Sequence, residues 1–514
     1  MDGSAVSEVP VVIAGAGPTG LMLASELRLA GVEVVVVERL LAAPVWSRAQ
    51  TLQLRSIETF HQRGLDWFGE YGQVRTHNFG LLELIGAVDP ELIAKRVPQR
   101  DIEVKLEQRA RELGAEVRRG HELTALEQDG DGVTVTVRHD GGDYRLRAAY
   151  LVGADGGRSS VRKLAGIPFV GGPSPYTFSG VTGDIELVDP EPLRIGPDLH
   201  PRGLFAVIPM EPGVHRVTVL EFGATPPPDD RPVTVAEVQE GARRLAGVDL
   251  DIGENNLLSR FGGATFLAGQ YRAGRVFLAG DAAHVHMPFG GQGLNTGIQD
   301  AMNLGWKLAA ALNGWAPEGL LDTYHVERHP AGEWVCWNTR AQIGLLHPLD
   351  RVGALRELLG ELMTYDEVST HVAERLAAVD LRYPTHYPDL QAEDEEHPLQ
   401  GRRLPPVPLE TASGPGHVSQ TLHAGRGVLL DLSAGAPLPD VSGWAGRVDV
   451  VRAEPTARID AAFVVLRPDG YVAWAHREPR TDGVLAALTA WFGAPGTSPA
   501  GRPGRGEPLV SSAS

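Results

Sequence analysis

Three glycines in the order Gly15-Ala16-Gly17-Pro18-Thr19-Gly20 can do chemistry without a reactive side chain. Free backbone N–H groups in a tight turn at a helix start hold a pyrophosphate, and the positive end of the helix adds to the attraction. Two aspartates recur in related settings, Asp155 in Gly153-Ala154-Asp155-Gly156-Gly157-Arg158-Ser159 and Asp281 in Gly280-Asp281-Ala282-Ala283-His284. A carboxylate so placed can accept hydrogen bonds from a polyol chain. Beyond Asp281 runs Pro288-Phe289-Gly290-Gly291-Gln292-Gly293-Leu294-Asn295, a loop whose bare N–H groups suit a ring system that becomes negatively charged.

Such groups act only if strands and helices deliver them to one place. The apolar run 9–14 predicts a strand buried on both faces, and Leu21, Leu23, Ala24 and Leu27 predict a helix closing at Gly31. A second strand over 34–37 ends in Glu38. A carboxylate there accepts both ribose hydroxyls and repels a 2′-phosphate, favouring an FAD- or NAD-type adenosine over NADP. Strands over 148–152 and 274–281 carry Asp155 and Asp281 toward the open edge of a sheet, where α/β proteins bind ligands. A long helix over about 294–312, apolar at Ile298, Ala301, Leu304, Leu308 and Leu312, aims its positive end at the glycine loop. A reduced flavin carries negative charge near N1 and its C2 carbonyl, so the set points to a flavin. The first motif alone also fits a chance glycine turn in an ordinary α/β unit.

At these residues the chain resembles the FAD-dependent, single-component aromatic hydroxylases, within them the enzymes that tailor angucycline and anthracycline polyketides, with rifampicin monooxygenase nearby. Ser47-Arg48-Ala49, Leu54-Arg55-Ser56-Ile57-Glu58, Leu106-Glu107-Gln108 and Tyr324-His325-Val326-Glu327-Arg328-His329-Pro330 carry the same likeness. The resemblance implies that Gly15, Gly17, Pro18, Thr19 and Gly20 cradle FAD, that Glu38 and Arg39 hold its adenosine end, and that Arg48 and Gln108 contact the flavin nucleotide. Asp155 and Asp281 serve the ribityl and pyrophosphate region, Asp155 in support of nicotinamide-nucleotide use as well. Pro288, Gly291, Gly293, Leu294 and Asn295 line the isoalloxazine. Arg48, Phe205 and Phe289 approach the substrate, and the bulk of Phe289, where a small residue is common, reshapes the pocket.

The implied reaction needs no assigned acid or base. NADPH or NADH reduces the flavin transiently, dioxygen adds to give a C4a-hydroperoxide, and its distal oxygen passes to an electron-rich ring carbon of a small aromatic substrate of polyketide type. A Baeyer–Villiger or antibiotic-inactivating oxygenase of the same fold is one alternative; a flavin oxidase or non-catalytic flavin binder is another. Gly291-Gln292-Gly293-Leu294-Asn295-Thr296-Gly297 lacks a preceding strand, so there is no second dinucleotide unit. The lone Cys336 excludes disulfide reductase chemistry, and a Trp-x-Trp-x-Ile-Pro motif for halogenation is missing.

Composition bounds the partners. With 65 Asp and Glu against 47 Lys and Arg in 514 residues, the net charge of −18 argues against nucleic acid and anionic membranes. The first ten residues contain no basic side chain, so the apolar start is read as fold rather than signal peptide, and the protein as cytoplasmic, monomeric or homodimeric. His284 and His286 have metal-like spacing without a third ligand, so no metal is expected. Trp334, Cys336 and Trp337 read as core, and Asp322, Tyr324 and His325 as a supporting helix.

The expected architecture is α/β: a Rossmann-like FAD-binding domain over 1–175 and 270–378 with a helical extension, and an inserted antiparallel-sheet substrate domain over 176–269. That sheet turns at 209–213. A linker over 379–408, with the acidic run Glu393-Asp394-Glu395-Glu396, leads to a C-terminal thioredoxin-like domain over 409–494 without Cys-x-x-Cys. A Gly-, Pro- and Ser-rich tail over 495–514 is expected to be disordered.

Overall fold

The computed structural model describes residues 6–43, 49–74, 78–86, 88–89, 92–172, 178–190, 193–225, 227, 231–384 and 397–496. Its largest sheet has eight strands. The strand Ser7–Ala14 lies at its centre, parallel to Val34–Glu38 on one side and to Gly142–Gly153 on the other. Val276–Leu278 and Glu116–Arg119 extend the parallel order outward. Val11, Val12 and Ile13 are fully buried, each such side chain contributing about 1.5–3 kcal/mol by leaving water. The register pairs Ala14 with both Val37 and Gly153, and Gly153 with Leu278. All three motifs, up to 270 residues apart in the chain, therefore leave the sheet at one edge. Helix α1 (Pro18–Leu29) follows the first motif, α2 (Leu54–His61) lies beyond, α3 (Gln99–Glu112) returns to the edge strand, and α4 (Ser160–Leu164) follows the Asp155 turn.

The inserted sheet runs in the order Gly196–His200, Gly203–Glu211, Val214–Phe222, Phe178–Leu187, Ile252–Phe261, all antiparallel. Its strands alternate. One face sends Val181, Ile185, Phe205, Val207, Val217 and Val219 against α5 (Val235–Ala246), and the other sends Phe178, Leu204 and Leu220 toward Met287 and Ile343. Helix α5 was not expected, although Thr234 accepts from Glu237 N and Gly247 stops the helix at φ 69°, both signals readable in the sequence. The strand continues to Glu211 through a register shift after Pro209, so the reversal falls later than expected, at Pro212-Gly213. Thr265–Ala268, expected in this sheet, instead pairs with Phe169–Gly172 and His284–Val285 at the junction.

Helices α6 (Gln292–Leu312), α7 (Thr323–Gly344), α8 (Leu349–Leu362) and α9 (Asp366–Ala377) follow. Trp337, expected in the core, is 56% exposed on the outer face of α7, while Cys336 is buried. The C-terminal unit holds α10 (Val418–Thr421), α11 (Thr481–Phe492) and a four-stranded sheet ordered Val448–Arg452, Gly427–Asp431, Phe463–Leu466, Val472–His476, the first pair parallel and the rest antiparallel. The linker expectation needs correcting for residues 397–408. Leu404 and Val407 fill the same core as Val428, Leu430 and Val472, and buried Arg403 donates to Gln299 and Gln62. The acidic run and the tail from 497 lie outside the described residues.

A buried ionic cluster joins this unit to the rest. Glu327 on α7 receives Lys307 Nζ at 2.8 Å from α6 and Arg467 Nη1 at 2.7 Å from the C-terminal sheet, while Arg467 Nη2 also meets Asp469 at 2.5 Å. The Arg467 guanidinium lies 4.5 Å from the Trp491 ring centre. Burial pushes the Glu327 carboxyl up, but Arg467 and Lys307 outweigh it and hold the carboxyl down at about 2. Removing one partner strands a buried charge, so Arg467→Met is expected to cost about 3–5 kcal/mol, read as a fall in Tm. Because the folded pKa is depressed below 4.5, this stabilisation is present above pH 4.5 and lost as pH falls toward 2; Glu327→Gln should flatten that part of the acid profile.

Candidate functional site

The first turn shows why each glycine is required. Gly15 has φ 107°, and a Cβ there would collide with the Ala154 carbonyl; one on Gly20 would collide with the Gly15 carbonyl. Gly17 faces open space, with nothing within 4 Å of a Cβ position. The turn thus packs tightly behind and stays clear in front, where a pyrophosphate would approach. Pro18 opens α1, whose N-terminus has neither a side-chain cap nor an acidic residue in its first turn. The side chain of Thr19 points elsewhere, against the backbones of Gly280 and Gly297, where it lets α1 and α6 approach closely.

At the end of the second strand the Glu38 carboxylate accepts from Ala16 N and Leu40 N, both at 2.9 Å, which fixes its orientation beside the turn. Arg39 is exposed next to it. Asp155 Oδ2 caps α4 by accepting from Ser160 N at 2.7 Å and Val161 N at 3.1 Å, whereas its Oδ1 is buried without a partner. Burial raises the Asp155 carboxyl. An orphaned acceptor here fits a hydroxyl donor from a bound cofactor.

Asp281 is exposed at the third strand end, in a 3-10 turn rather than in the strand itself. Its Oδ1 and His286 Nε2 lie 3.7 and 3.5 Å from the position a Cβ on Gly293 would take, so both stand over the first turn of α6. His286 Nδ1 donates to the Met287 carbonyl at 2.8 Å, and burial lowers its pKa to about 4, keeping the ring neutral. Gly290 and Gly291 both adopt positive φ, 73° and 62°, bending the chain after Pro288 into α6. That helix also starts without a side-chain cap or an acidic residue, leaving the N–H groups of Gly293 and Leu294 at an uncompensated positive end. The Asn295 side chain acts differently from the lining role expected of it. Its Nδ2 donates to Thr51 O and Gly291 O, and its Oδ1 accepts from Gln53 N, which bolts residues 51–53 to the glycine loop.

Two expectations about side chains change, those for Gln108 and Phe205. Arg48 lies outside the described residues. Gln108 is exposed on α3 and donates to Glu112, away from the turn; the glutamine at the site end of α3 is Gln99, whose Oε1 accepts from Ala49 N at 3.2 Å. Phe205 faces α5, one residue out of phase, and its neighbour Leu204 faces the flavin loop. Phe289 is half-buried in an apolar cluster with Leu81, Phe178, Leu204, Leu220, Phe222, Phe261, Met287 and Ile343. A cavity of about 270 Å³ lined by Arg231, Glu237, Arg244 and Arg260 lies beside α5, away from this edge. Asp300, unmarked in the sequence reading, accepts from Gly280 N at 3.0 Å, His284 Nε2 at 2.8 Å and Arg328 Nε at 2.7 Å.

Residues 8–339 match the FAD binding domain family, and residues 397–495 match the family described as aromatic-ring hydroxylase, C-terminal. A 12-dehydrotetracycline 5-monooxygenase/anhydrotetracycline 6-monooxygenase of Streptomyces rimosus subsp. rimosus is 45% identical, over 94% of this chain and 99% of its own. A rifampicin monooxygenase of Streptomyces venezuelae is 43% identical over 94% and 98%. The solved structure of the Diels-Alderase PyrE3 of pyrroindomycin biosynthesis superposes with a TM-score of 0.83 at 44% identity, covering 94% of this chain and 99% of that one. Among the described residues no helix is long and apolar enough to cross a membrane. Free helix ends, a glycine turn clear for a pyrophosphate and both family matches agree: the chain belongs to the FAD-dependent aromatic-ring hydroxylases, and is a flavoprotein monooxygenase.

Proposed function

We propose that this monooxygenase uses NADPH or NADH and dioxygen to hydroxylate a polycyclic aromatic polyketide of angucycline or anthracycline type. The observation that carries the reading is the Pro288–Gly291 turn. One side of it opens α6 toward the cofactor edge, and Phe289 on the other side joins an apolar cluster rich in phenylalanine, which this reading takes as the wall of the substrate chamber. When bound and reduced, FAD supplies dioxygen activation and oxygen transfer. The chain's own residues bind, orient and exclude water. Glu38, held by two backbone N–H groups, keeps lone pairs for ribose hydroxyls, with Arg39 beside the nucleotide. Asp155 Oδ1 and Asp281 accept from polyol hydroxyls. The first turn of α6 offsets negative charge on the ring, and the chamber keeps water from the reacting face.

The same reading takes the eight-stranded sheet as a Rossmann-like FAD domain, the inserted sheet as the substrate cover, and the C-terminal unit as a thioredoxin-like appendage that packs rather than reacts. It places the protein in the cytoplasm as a monomer or homodimer.

Purified protein should show a flavin spectrum and oxidise NADPH faster with the right angular or linear aromatic polyketide, yielding a product heavier by one oxygen. A lactone among the products would mean Baeyer–Villiger chemistry, a rearranged product of unchanged mass would align the chain with the PyrE3 type, and peroxide alone would mean an oxidase. Gly17→Val should fold normally yet purify without flavin, since its side chain fills space left clear for the pyrophosphate. Leu204→Ala is expected to change KM or the position oxidised at unchanged flavin content. Phe205→Ala should instead cost about 3–5 kcal/mol of stability with little change in kcat/KM of the folded enzyme.

A further inference from the structure

Four side chains around the Pro288–Gly291 turn hold buried polar atoms with no hydrogen-bond partner among the described residues. They are Gln53 Oε1, both amide atoms of Gln292, Trp334 Nε1 and Asn338 Nδ2. Gln53, Gln292 and Asn338 are 6%, 3% and 1% exposed. Gly290 is the common reference point of the two glutamines. Gln53 Nε2 donates to the Gly290 carbonyl at 2.9 Å, and Gln292 Nε2 lies 2.9 Å from where a Cβ on Gly290 would stand. Leu376 Cδ2 of α9 is 3.4 Å from that same point, and the guanidinium of the adjacent Arg375 lies 4.7 Å from the Trp334 ring centre. Asn338 follows Trp334 by one turn of α7, a helix that packs on the Phe289–Gly291 turn. Ile343, five residues further on, already belongs to the apolar cluster, as does Phe289.

A buried polar atom left unpaired costs roughly 1–3 kcal/mol, and native interiors satisfy nearly all of theirs. The four residues expose three donors, the indole N–H and two amide NH₂ groups, and two carbonyl acceptors. None is ionised. Arg375, which lies over the Trp334 ring, is already paired with Asp380 at 2.9 Å. Such a set matches neutral hydroxyl and keto oxygens and offers nothing to offset a carboxylate or phosphate.

We propose that Gln53, Gln292, Trp334 and Asn338 form an uncharged polar subsite beside the apolar chamber, which binds the hydroxyl- and keto-bearing edge of the aromatic substrate. This rests on the reading that the chamber takes an aromatic polycycle next to the flavin. Substrate then lies with its apolar rings toward Phe289 and Ile343 and its oxygenated edge toward α7 and α9.

The test is binding to the FAD-loaded, oxidised protein without reductant, followed by the flavin absorbance and by calorimetry. The probes are 1,8-dihydroxyanthraquinone and anthracene. Gln292→Leu and Asn338→Leu should each weaken the dihydroxyanthraquinone roughly five- to a hundredfold, leave anthracene affinity unchanged, and leave Tm level or higher. Equal losses for both probes, or no loss for either, would overturn the subsite and mean that these atoms bind only water. If neither probe perturbs the wild-type flavin, the chamber itself is not an aromatic site, and both readings fall together.

Discussion

Asp300 sits two helical turns inside α6 with no access to solvent, and the cofactor edge hangs on it. Its two oxygens take Gly280 N and His284 from the loop that carries Asp281, and Arg328 from α7. Burial alone would push this carboxyl up; Arg328 and His284 outweigh it and keep it charged. The charge then draws the Gly280–His284 loop onto α6, which fixes how far Asp281 stands from the free N–H groups of Gly293 and Leu294. Gly297 makes the approach possible from the other side, since any side chain there would strike Thr19. A single carboxylate therefore holds the third motif against the helix that follows it.

Ionised side chains are concentrated behind the site rather than in it. Glu327, Lys307, Arg467 and Asp469 are buried and mutually paired, and buried Arg328 pairs with Asp300 and Tyr383. The cofactor edge relies instead on backbone N–H groups, helix ends and three carboxylates, Glu38, Asp155 and Asp281. That division suits a chemistry supplied by the cofactor: fixed dipoles cost no reorganisation when charge develops on a ring, and an unpaired protein charge nearby would demand water to solvate it.

How much of this was legible depends on whether a feature is local. The glycine motifs were, because a left-handed turn or a close backbone approach constrains the residue type on the spot. Glu38, Asp155 and Asp281 followed from strand ends, and their alignment from parallel register. Phe205 shows the limit. A two-residue period tells which side chains share a face, but which face meets the flavin loop depends on where α5 docks, and that helix was missed despite its Thr234 cap. Gln108 and Gln99 both lie on α3, and only the antiparallel return of that helix against the sheet decides which end reaches the site. Residues 397–408 read as a linker because proline and charge dominate locally, while the partners of Arg403, Gln62 and Gln299, lie more than a hundred residues away in the chain.

The clamp between Arg467 and Glu327 also has a consequence in time. Proteins are made from the N-terminus, and domains tend to fold in that order as they emerge. Lys307 and Glu327 are synthesised with the cofactor helix and its neighbour, yet the guanidinium that completes their pairing arrives 140 residues after Glu327. Until then the back of α6 carries a half-satisfied charge cluster facing water. The ion pairing behind the cofactor helix is thus completed only when the C-terminal sheet docks, which couples the last-made part of the chain to the back of the cradle.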